Sequence, residues 1–226
     1  MFSRTENLIG KDSLKKLQAS TIAIFGLGGV GGYVVEALAR SGVEKFVLID
    51  NDVVSKSNLN RQIIALHSTL GKLKTETFKA RLLDINPNVE VVTYTQFILP
   101  DTIDTIDLSK VNYVVDAIDT VSGKIAIIEK AKQKNIPVIS CMGTGNKLKA
   151  DYFKIADISK TDVCPLARVM RRELKNRGIE KVKVLYSQEQ PKKNTAEEKP
   201  VPSSIAYVPS VAGLLIAGEV IQDLIK

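Results

Sequence analysis

Runs of apolar residues alternate with helically spaced apolar positions along the first 141 residues. The runs predict buried strands, and the helical spacing predicts the helices between them. The predicted strands are residues 21–25, 45–50, 90–94, 112–119 and 136–141, and the predicted helices are 13–17, 30–41, 71–84 and 121–133. Such alternation requires crossover connections and therefore a parallel sheet. We expect an α/β fold with a Rossmann-like, doubly wound, mainly parallel sheet.

The pattern changes after Cys141, where we expect the parallel sheet to end. Residues 146–158 alternate polar and apolar positions, which predicts a half-exposed antiparallel strand. Residues 165–177 and 211–225 predict helices, whereas residues 187–204, with three prolines and few apolar residues, predict a mobile loop. We expect 1–226 to be a single domain, with residues 26–141 as a nucleotide-binding core and residues 142–226 as its extension.

The composition favours an anionic partner. Lys and Arg number 32 against 25 Asp and Glu, a net charge of +7, which suits nucleic acid but is equally compatible with a solvated basic surface. Two cysteines cannot form a four-thiolate zinc site, and they favour a reducing compartment. The charged N-terminus argues against a signal peptide, and the apolar stretch 211–217 is too short to span a bilayer. We expect a soluble, cytoplasmic protein.

A glycine-rich segment follows the first predicted strand and opens a helix. In GLGGVGG, Gly26 permits a tight turn, Gly28 lets backbone N–H groups approach a phosphate, and Gly31 lets the helix pack closely. Asp50 ends the second strand, where its carboxylate can accept hydrogen bonds from ribose hydroxyls. NAD and ATP share that ribose, so both remain open, as does a packing turn that binds nothing.

The segment after Asp50 is rich in polar side chains. Asn58, Arg61 and Gln62 lie close together in SNLNRQ, and Lys74 follows in GKLK. Cations and amides suit an enzyme that cleaves ATP, because negative charge develops on the α-phosphate and on the leaving pyrophosphate. Singly, each residue would more often be a solvated surface group. Their clustering favours ATP over NAD.

Two carboxylates follow the fourth predicted strand, in DAID. The carboxyl ends of parallel strands form the ligand-binding edge of such sheets, and Mg²⁺ takes one or two carboxylates beside phosphate oxygens. Asp119 is the predicted metal ligand, with Asp116 as the second candidate. A helix N-cap is the alternative role for Asp119.

The motifs GLGGVGG, LIDNDVVSKSNLNRQ, GKLK and VDAID together resemble the ubiquitin-activating-like, ATP-dependent adenylating family. The resemblance implies ATP and Mg²⁺ as cofactors and a homodimer. It implies that Arg4 reaches the partner subunit's ATP site. The implied site residues are Gly26, Gly28, Gly29, Gly31 and Asp50 for the nucleotide, Asn58, Arg61, Gln62 and Lys74 for the phosphates, and Asp119 for the metal, with Arg4, Arg61, Lys74 and Asp119 as the catalytic set.

The second half decides the branch of that family. FKIADISKTDVCPLARVMRRELK and YVPSVAGLLIAGEVIQDLI resemble the tRNA threonylcarbamoyladenosine dehydratases. That resemblance implies adenylation of the carboxylate of N6-threonylcarbamoyladenosine in tRNA and net loss of water, with a sulfur-relay protein as a candidate further partner. The chain departs from the branch at Cys164 and at Lys149-Ala150.

Three other functions remain open from sequence. Adenylation of the C-terminal glycine of a ubiquitin-like sulfur carrier is the main alternative, although that branch typically carries paired Cys-x-x-Cys zinc ligands and this chain has none. An NAD-dependent oxidoreductase and a non-catalytic tRNA-binding module are the others.

The helix predicted over residues 165–177 carries a basic face. Arg168, Arg171, Arg172 and Lys175 fall at i, i+3, i+4 and i+7, and they share one side of the helix. Leu166, Val169, Met170 and Leu174 fall on the other side, so the helix can dock by its apolar side and present cations to phosphates. These four bases are the predicted nucleic-acid ligands, with a solvated helix surface as the alternative.

Overall fold

The computed structural model describes residues 1–192 and 202–226. The helices are α1 (Ser3–Ile9), α2 (Lys11–Ala19), α3 (Gly31–Ser41), α4 (Lys74–Ile85), α5 (Val121–Gln133), α6 (Pro165–Asn176) and α7 (Tyr207–Ile225). The strands are β1 (Thr21–Phe25), β2 (Lys45–Ile49), β3 (Glu90–Tyr94), β4 (Tyr113–Asp116), β5 (Val138–Cys141), β6 (Phe153–Asp157) and β7 (Lys183–Ser187). The strands form one sheet in the order β3-β2-β1-β4-β5-β7-β6, and only the β6–β7 pair is antiparallel. This is the expected Rossmann-like, doubly wound sheet.

Helices cover both faces of the sheet, and alternate strand residues point to the two sides. On one face Ile22 and Ile24 of β1 join a core with α3, α4 and α7. On the other face Ala23 and Phe25 join a core with α5 and α6. Burial on both sides explains the continuous apolar runs in the sequence, because a strand between two helical layers has no solvated face.

The parallel sheet does not end at Cys141, contrary to the expectation from sequence. β7 pairs in parallel with β5, with Ile139 opposite Lys183 and Cys141 opposite Leu185. β6 precedes β7 in the chain but lies outside it at the edge of the sheet. The expected antiparallel strand over 146–158 is confirmed only for Phe153–Asp157. The extension is therefore a strand pair added to the parallel edge.

Helix ends differ from the expected ends where local backbone geometry intervenes. α4 begins at Lys74 rather than at residue 71, because Gly71 has a positive φ of 81° and belongs to the preceding turn. α1 was not expected, and it has no buried residue that would mark it by apolar spacing. α7 begins at Tyr207, four residues before the predicted start.

α7 is the most apolar helix and is buried along one side, whereas its Leu214 and Leu215 are exposed. Its 19 residues and mean hydropathy of 1.5 would suffice to cross a membrane by length and composition. It packs along α3, and its Gly213 permits this contact, because a Cβ there would lie 2.4 Å from Val30 O. Its acidic side chains Glu219 and Asp223 both pair with Lys183 of β7. The helix is therefore part of the body of the protein.

The expected loop over 187–204 is partly ordered. Ser187 is the last residue of β7 and is fully buried. Glu189 is also buried, and its carboxylate accepts hydrogen bonds from the backbone N–H groups of Leu148 and Lys149. Residues 193–201 of the predicted loop lie outside the described residues.

Candidate active site

A cleft of about 690 Å³ opens at the carboxyl ends of β1, β2, β4 and β5. This is where open parallel sheets bind ligands, because the strand ends and the loops that follow them converge there. Nine of the predicted site residues line it: Gly26, Gly28, Gly29, Asp50, Asn58, Arg61, Gln62, Lys74 and Asp119. The fold thus brings together residues that are up to 93 positions apart in the sequence.

The glycine loop between β1 and α3 contains two glycines that the fold itself requires. Gly26 has a φ of 88°, and a Cβ on it would lie 2.8 Å from Ala117 O. A Cβ on Gly31 would lie only 1.8 Å from Gly26 O. Gly28 differs, because its nearest neighbour would be Gln62 Nε2 at 3.7 Å. The space over Gly28 is therefore open on the cleft side, at the N-terminal end of an 11-residue helix that favours anions.

Asp50 is held rigidly at the end of β2. Leu27 N–H donates to its Oδ2 at 2.6 Å, and Asp52 N–H donates to its Oδ1 at 2.8 Å. Burial raises the pKa of Asp50, while the nearby Lys74 ammonium and the two backbone donors oppose that rise. Each carboxylate oxygen keeps a second lone pair, so Asp50 can still accept from ribose hydroxyls.

The two predicted phosphate-binding cations are held by acceptors of the protein. Lys74 is buried, and its Nζ donates to Asp52 Oδ2 at 2.7 Å and lies 3.7 Å from Asp50 Oδ1. Arg61 Nη1 donates to Ser57 O at 3.0 Å and to Asn60 Oδ1 at 2.9 Å. Both side chains line the cleft, so an anionic ligand would compete with these oxygens for them.

The two amides of this segment have different surroundings. Asn58 is buried, and its Oδ1 accepts from Ser55 N–H at 3.1 Å, which closes the short turn before it. Gln62 is buried too, but its Oε1 has no hydrogen-bond partner among the described residues. An unpaired buried carbonyl is costly, and one in a cleft wall is typical of a group that pairs with a ligand.

The two aspartates of DAID have separate environments. Asp119 is exposed and lines the cleft, and Thr120 rather than Asp119 occupies the N-cap position of α5, so the N-cap alternative for Asp119 is wrong. Asp116 is fully buried, and its Oδ2 pairs with Lys124 Nζ at 3.0 Å and accepts from Ser140 Oγ at 2.5 Å. Asp116 is therefore occupied by structural partners, which leaves Asp119 as the carboxylate available to a cation.

The cysteines give no sign of nucleophilic chemistry. Cys141 lines the cleft but is buried, and burial raises the pKa of its thiol to about 12. The thiol therefore remains protonated near neutral pH, whereas nucleophilic attack requires the thiolate. Cys164 is buried as well. These environments fit small core side chains.

Some predicted site residues lie elsewhere. Gly31 supports the loop from behind without lining the cleft, and Arg4 is an exposed residue of α1 that does not line it either. On α6, Arg168, Arg172 and Lys175 are exposed, whereas Arg171 is half-buried and donates to Thr161 O and Oγ1 at 2.6 and 2.8 Å. The predicted basic face therefore presents three exposed cations, of which Arg172 pairs with Glu173 on the same helix, and one that is tied to the body.

The apolar side of α6 is confirmed only in part. Met170 and Leu174 are buried as expected, together with Ala167. Leu166 instead lines the cleft, and Val169 is half-buried. The helix thus begins at the cleft, and none of its four predicted bases lines it.

Sequence reasoning missed one end of the cleft. Residues 142–145 after β5, Pro202 and Ser204, and Pro209 of α7 all line it. These residues carry small or apolar side chains without an obvious chemical role, so no motif marks them. Only their position after a predicted strand gave a signal, and that signal covered residues 142–145 alone.

Comparisons with known proteins show what the chain is similar to. The model of the ThiF family matches residues 2–226. A tRNA threonylcarbamoyladenosine dehydratase of Bacillus subtilis is 44% identical over 240 residues, covering 100% of this chain and 94% of that protein. The enzyme of that name from Haemophilus influenzae is 40% identical, covering 77% of this chain and 67% of its own.

A solved structure is similar as well. The Escherichia coli tRNA N6-threonylcarbamoyladenosine dehydratase in complex with ATP superimposes with a TM-score of 0.90 at 30% identity, covering 99% of this chain and 93% of that one. The resemblance extends from the glycine loop to the C-terminal helix, so it includes both the nucleotide-binding core and the β6–β7 extension. This chain belongs to the ThiF family.

Proposed function

We propose that this chain is an ATP-dependent enzyme that dehydrates N6-threonylcarbamoyladenosine in tRNA by adenylating its carboxylate. One observation carries the proposal. The cleft combines an open glycine loop, a rigid carboxylate and two cations in a fold that matches an ATP-bound dehydratase along nearly its whole length. An NAD-dependent enzyme would need the glycine loop and Asp50 but not the two cations.

The chemistry has two steps. A carboxylate oxygen of the nucleoside attacks the α-phosphorus of ATP, and the bond to pyrophosphate breaks. The carbamoyl group of the same side chain then attacks the activated acyl carbon and loses a proton, which closes the ring. The bond from that carbon to the phosphate oxygen breaks and AMP leaves with one carboxylate oxygen, so the nucleoside loses one water overall. Arg61 and Lys74 offset the charge that develops on the phosphates in the first step.

The remaining side chains hold the reactants. Asp50 would accept from the ribose hydroxyls, Gly28 and Gly29 would let backbone N–H groups reach phosphates, and Asn58 and Gln62 would fix the nucleotide. Asp119 fits a magnesium ligand, since it is an exposed carboxylate in the cleft; no cluster of three or more His, Cys, Asp or Glu occurs among the described residues. Mg²⁺ would therefore share Asp119 with phosphate oxygens and would neutralise part of their charge.

The tRNA would lie along α6. The helix starts at the cleft with Leu166, and its 12 residues extend for about 18 Å. Arg168, Arg172 and Lys175 are exposed along it and suit backbone phosphates, although Arg172 also pairs with Glu173 at 3.1 Å. Arg171 serves mainly to fix the helix to Thr161.

The active unit in this proposal is a homodimer, and Arg4 of each subunit serves the cleft of the other. Arg4 is exposed on α1, a helix with no buried residue, so it is free to contact another chain. Mixed dimers test this. Arg4→Ala and Lys74→Ala subunits should each be inactive alone, and their mixture should recover about a quarter of wild-type activity if Arg4 acts across the dimer, since half the dimers are mixed and each has one intact site.

A sulfur-relay protein remains a candidate partner, and a reducing cytoplasm remains the expected compartment. The main alternative, adenylation of a ubiquitin-like sulfur carrier, is not favoured, because the chain has two cysteines in all and both described thiols are buried.

Nucleoside mass spectrometry tests the proposal directly. Modified tRNA incubated with enzyme and ATP should yield a nucleoside lighter by one water, with equimolar AMP and pyrophosphate. Lys74→Met should lose the product while the protein stays folded. An unchanged nucleoside, with pyrophosphate exchange stimulated by a sulfur carrier instead of tRNA, would support the alternative.

A further inference from the structure

Residues 202–204, here called the wall segment, close one side of the cleft. Pro202 and Ser204 line it, and a Cβ on Gly145 would lie 3.0 Å from Pro202 Cβ, so the wall segment packs directly on the loop after β5. Two asparagines, Asn60 and Asn146, connect the wall segment by hydrogen bonds to two other parts of the cleft. Neither of them lines the cleft itself.

The first of these residues is Asn60, in the polar segment after β2. Its Nδ2 donates to Ser204 O at 3.0 Å. The other end of the same amide, Oδ1, accepts from Arg61 Nη1 at 2.9 Å. Asn60 therefore links the wall segment to a cation that is proposed to bind phosphate.

The second residue is Asn146, in the loop after β5. Its backbone N–H donates to Ser203 O at 2.7 Å, and its Oδ1 accepts from Ser203 N–H at 2.7 Å. Its backbone carbonyl accepts from Lys192 N–H at 2.8 Å. Asn146 has a φ of 59°, a left-handed conformation that Asn and Gly adopt more readily than other residues.

The wall segment lies at the end of the cleft that is far from Asp50, the carboxylate proposed to bind the ribose. Asp50 follows β2, whereas residues 142–145 follow β5, three strand positions away in the sheet. At ~4.8 Å per strand these groups lie about 14 Å apart. We call this part of the cleft the acceptor end, after the substrate whose carboxylate would accept the adenylyl group. It is lined by Met142, Gly143, Gly145, Leu166, Pro202 and Ser204.

We propose that Asn60 and Asn146 are positioning residues, which hold the wall segment in place so that the acceptor end orients the substrate carboxylate toward the α-phosphorus of ATP. The inference rests on the proposed function, because it assigns that end of the cleft to the nucleoside. Neither asparagine lines the cleft. Each holds the wall segment through Ser203 or Ser204, and loss of that contact should affect the tRNA substrate rather than ATP. Asn60 also accepts from Arg61 Nη1, so a substitution that tests its role has to keep that acceptor.

Substitutions at Asn146 separate its side-chain oxygen from its backbone conformation. Asn146→Gly keeps the left-handed backbone but removes Oδ1, whereas Asn146→Asp keeps an oxygen that can accept from Ser203 N–H. A misplacement of about 1 Å can cost ~100-fold in rate. We therefore expect Asn146→Gly to lower kcat/KM for modified tRNA by ~10-fold or more, through a higher KM, a lower kcat or both. Asn146→Asp should stay close to wild type.

Two further variants complete the set. Asn60→Asp removes the Nδ2 donor to Ser204 O but keeps an oxygen that can accept from Arg61 Nη1, and it should raise KM for tRNA in the same direction. Asn135→Gly is the matched control, since Asn135 is also left-handed, with a φ of 56°, but lies at the exposed end of α5 and its side chain makes no hydrogen bond among the described residues. It should leave KM unchanged.

Calorimetric titration with ATP and hydrogen exchange accompany the kinetics. The affinity of Asn146→Gly for ATP should stay within about twofold of wild type, a change of less than ~0.5 kcal/mol. Exchange in peptides covering residues 203–207 should be faster in Asn146→Gly than in wild type or Asn146→Asp.

The outcomes are distinct. A wild-type enzyme that leaves the nucleoside unchanged would refute the proposed function, and this inference with it. With an active wild type, unchanged kinetics in Asn146→Gly, equal loss in Asn146→Gly and Asn146→Asp, or a parallel loss of ATP affinity would each overturn the inference alone.

Discussion

Gly28 and Gly31 of the glycine loop should respond in opposite ways to the same substitution. A methyl group on Gly28 would meet only Gln62 Nε2, at an ordinary 3.7 Å, and would stand in the cleft where phosphates are proposed to bind. A methyl group on Gly31 would lie 1.8 Å from Gly26 O, inside the turn that joins β1 to α3. Gly28→Ala therefore tests the ligand, and Gly31→Ala tests the fold.

The magnitudes follow from these distances. A backbone atom at 1.8 Å cannot move without opening the turn, so Gly31→Ala should cost about 3 kcal/mol, the upper end for overpacking. For a chain of this size that corresponds to a Tm about 6–12 °C lower. Gly28→Ala meets no such clash, and its smaller unfolded-state entropy should add about 0.4–1 kcal/mol to the free energy of unfolding.

Calorimetry measures both effects on the same samples. Gly28→Ala should unfold at or slightly above the wild-type Tm while its Kd for ATP rises by ~10-fold or more, equivalent to about 1.4 kcal/mol of binding free energy. Wild-type ATP affinity in a folded Gly28→Ala protein would refute the assignment of this loop to phosphates. A Gly31→Ala protein as stable as wild type would refute the packing argument.

Three further predictions concern other parts of the molecule. A Cβ on Gly213 would lie 2.4 Å from the backbone oxygen of Val30, whereas Gly218 of the same helix faces open space. Gly213→Ala should therefore lower Tm by about 2–8 °C, and Gly218→Ala should raise it by about 1–4 °C; equal shifts of Tm would contradict this. Cys141→Ala should retain dehydration activity, and loss of activity would instead indicate a covalent role for the thiol. Alkylation of the native thiol should be slow and should increase with pH without a plateau between pH 7 and 9, because its pKa of about 12 keeps it almost entirely protonated there. Lys124→Met leaves the fully buried Asp116 carboxylate without its counter-ion, so it should lower the free energy of unfolding in urea by about 3–5 kcal/mol. Adding Asp116→Leu should restore much of that free energy, and no recovery would show that the unpaired charge is not the cause.

Sequence predicts the nucleotide half of the protein well, because its signals are local. β1, α3 and β2 lie within one residue of the predicted bounds, since apolar runs between two helical layers and a glycine turn are visible without tertiary information. The polar residues from Asn58 to Lys74 were predicted as one group, and the structure brings them to one cleft.

Long-range contacts explain what sequence could not predict. β7 contains only five residues and begins with Lys183, and its burial depends on insertion between β5 and β6. Asp116 looks like a metal ligand until Lys124, on the following helix, is seen to pair with it. The roles of Asn60 and Asn146 depend on contacts with residues at least 57 positions away, which no local pattern encodes.

The insertion of β7 between two earlier strands has a consequence for synthesis. Until Ser187 has left the ribosome, β5 has an open edge of unpaired backbone groups and β6 has no neighbour in the sheet. Such edges pair readily with other chains, and long-range strand pairing is slow. The first five strands can therefore pair early, while the β6–β7 pair is assembled last and carries the greater hazard of aggregation in a nascent chain.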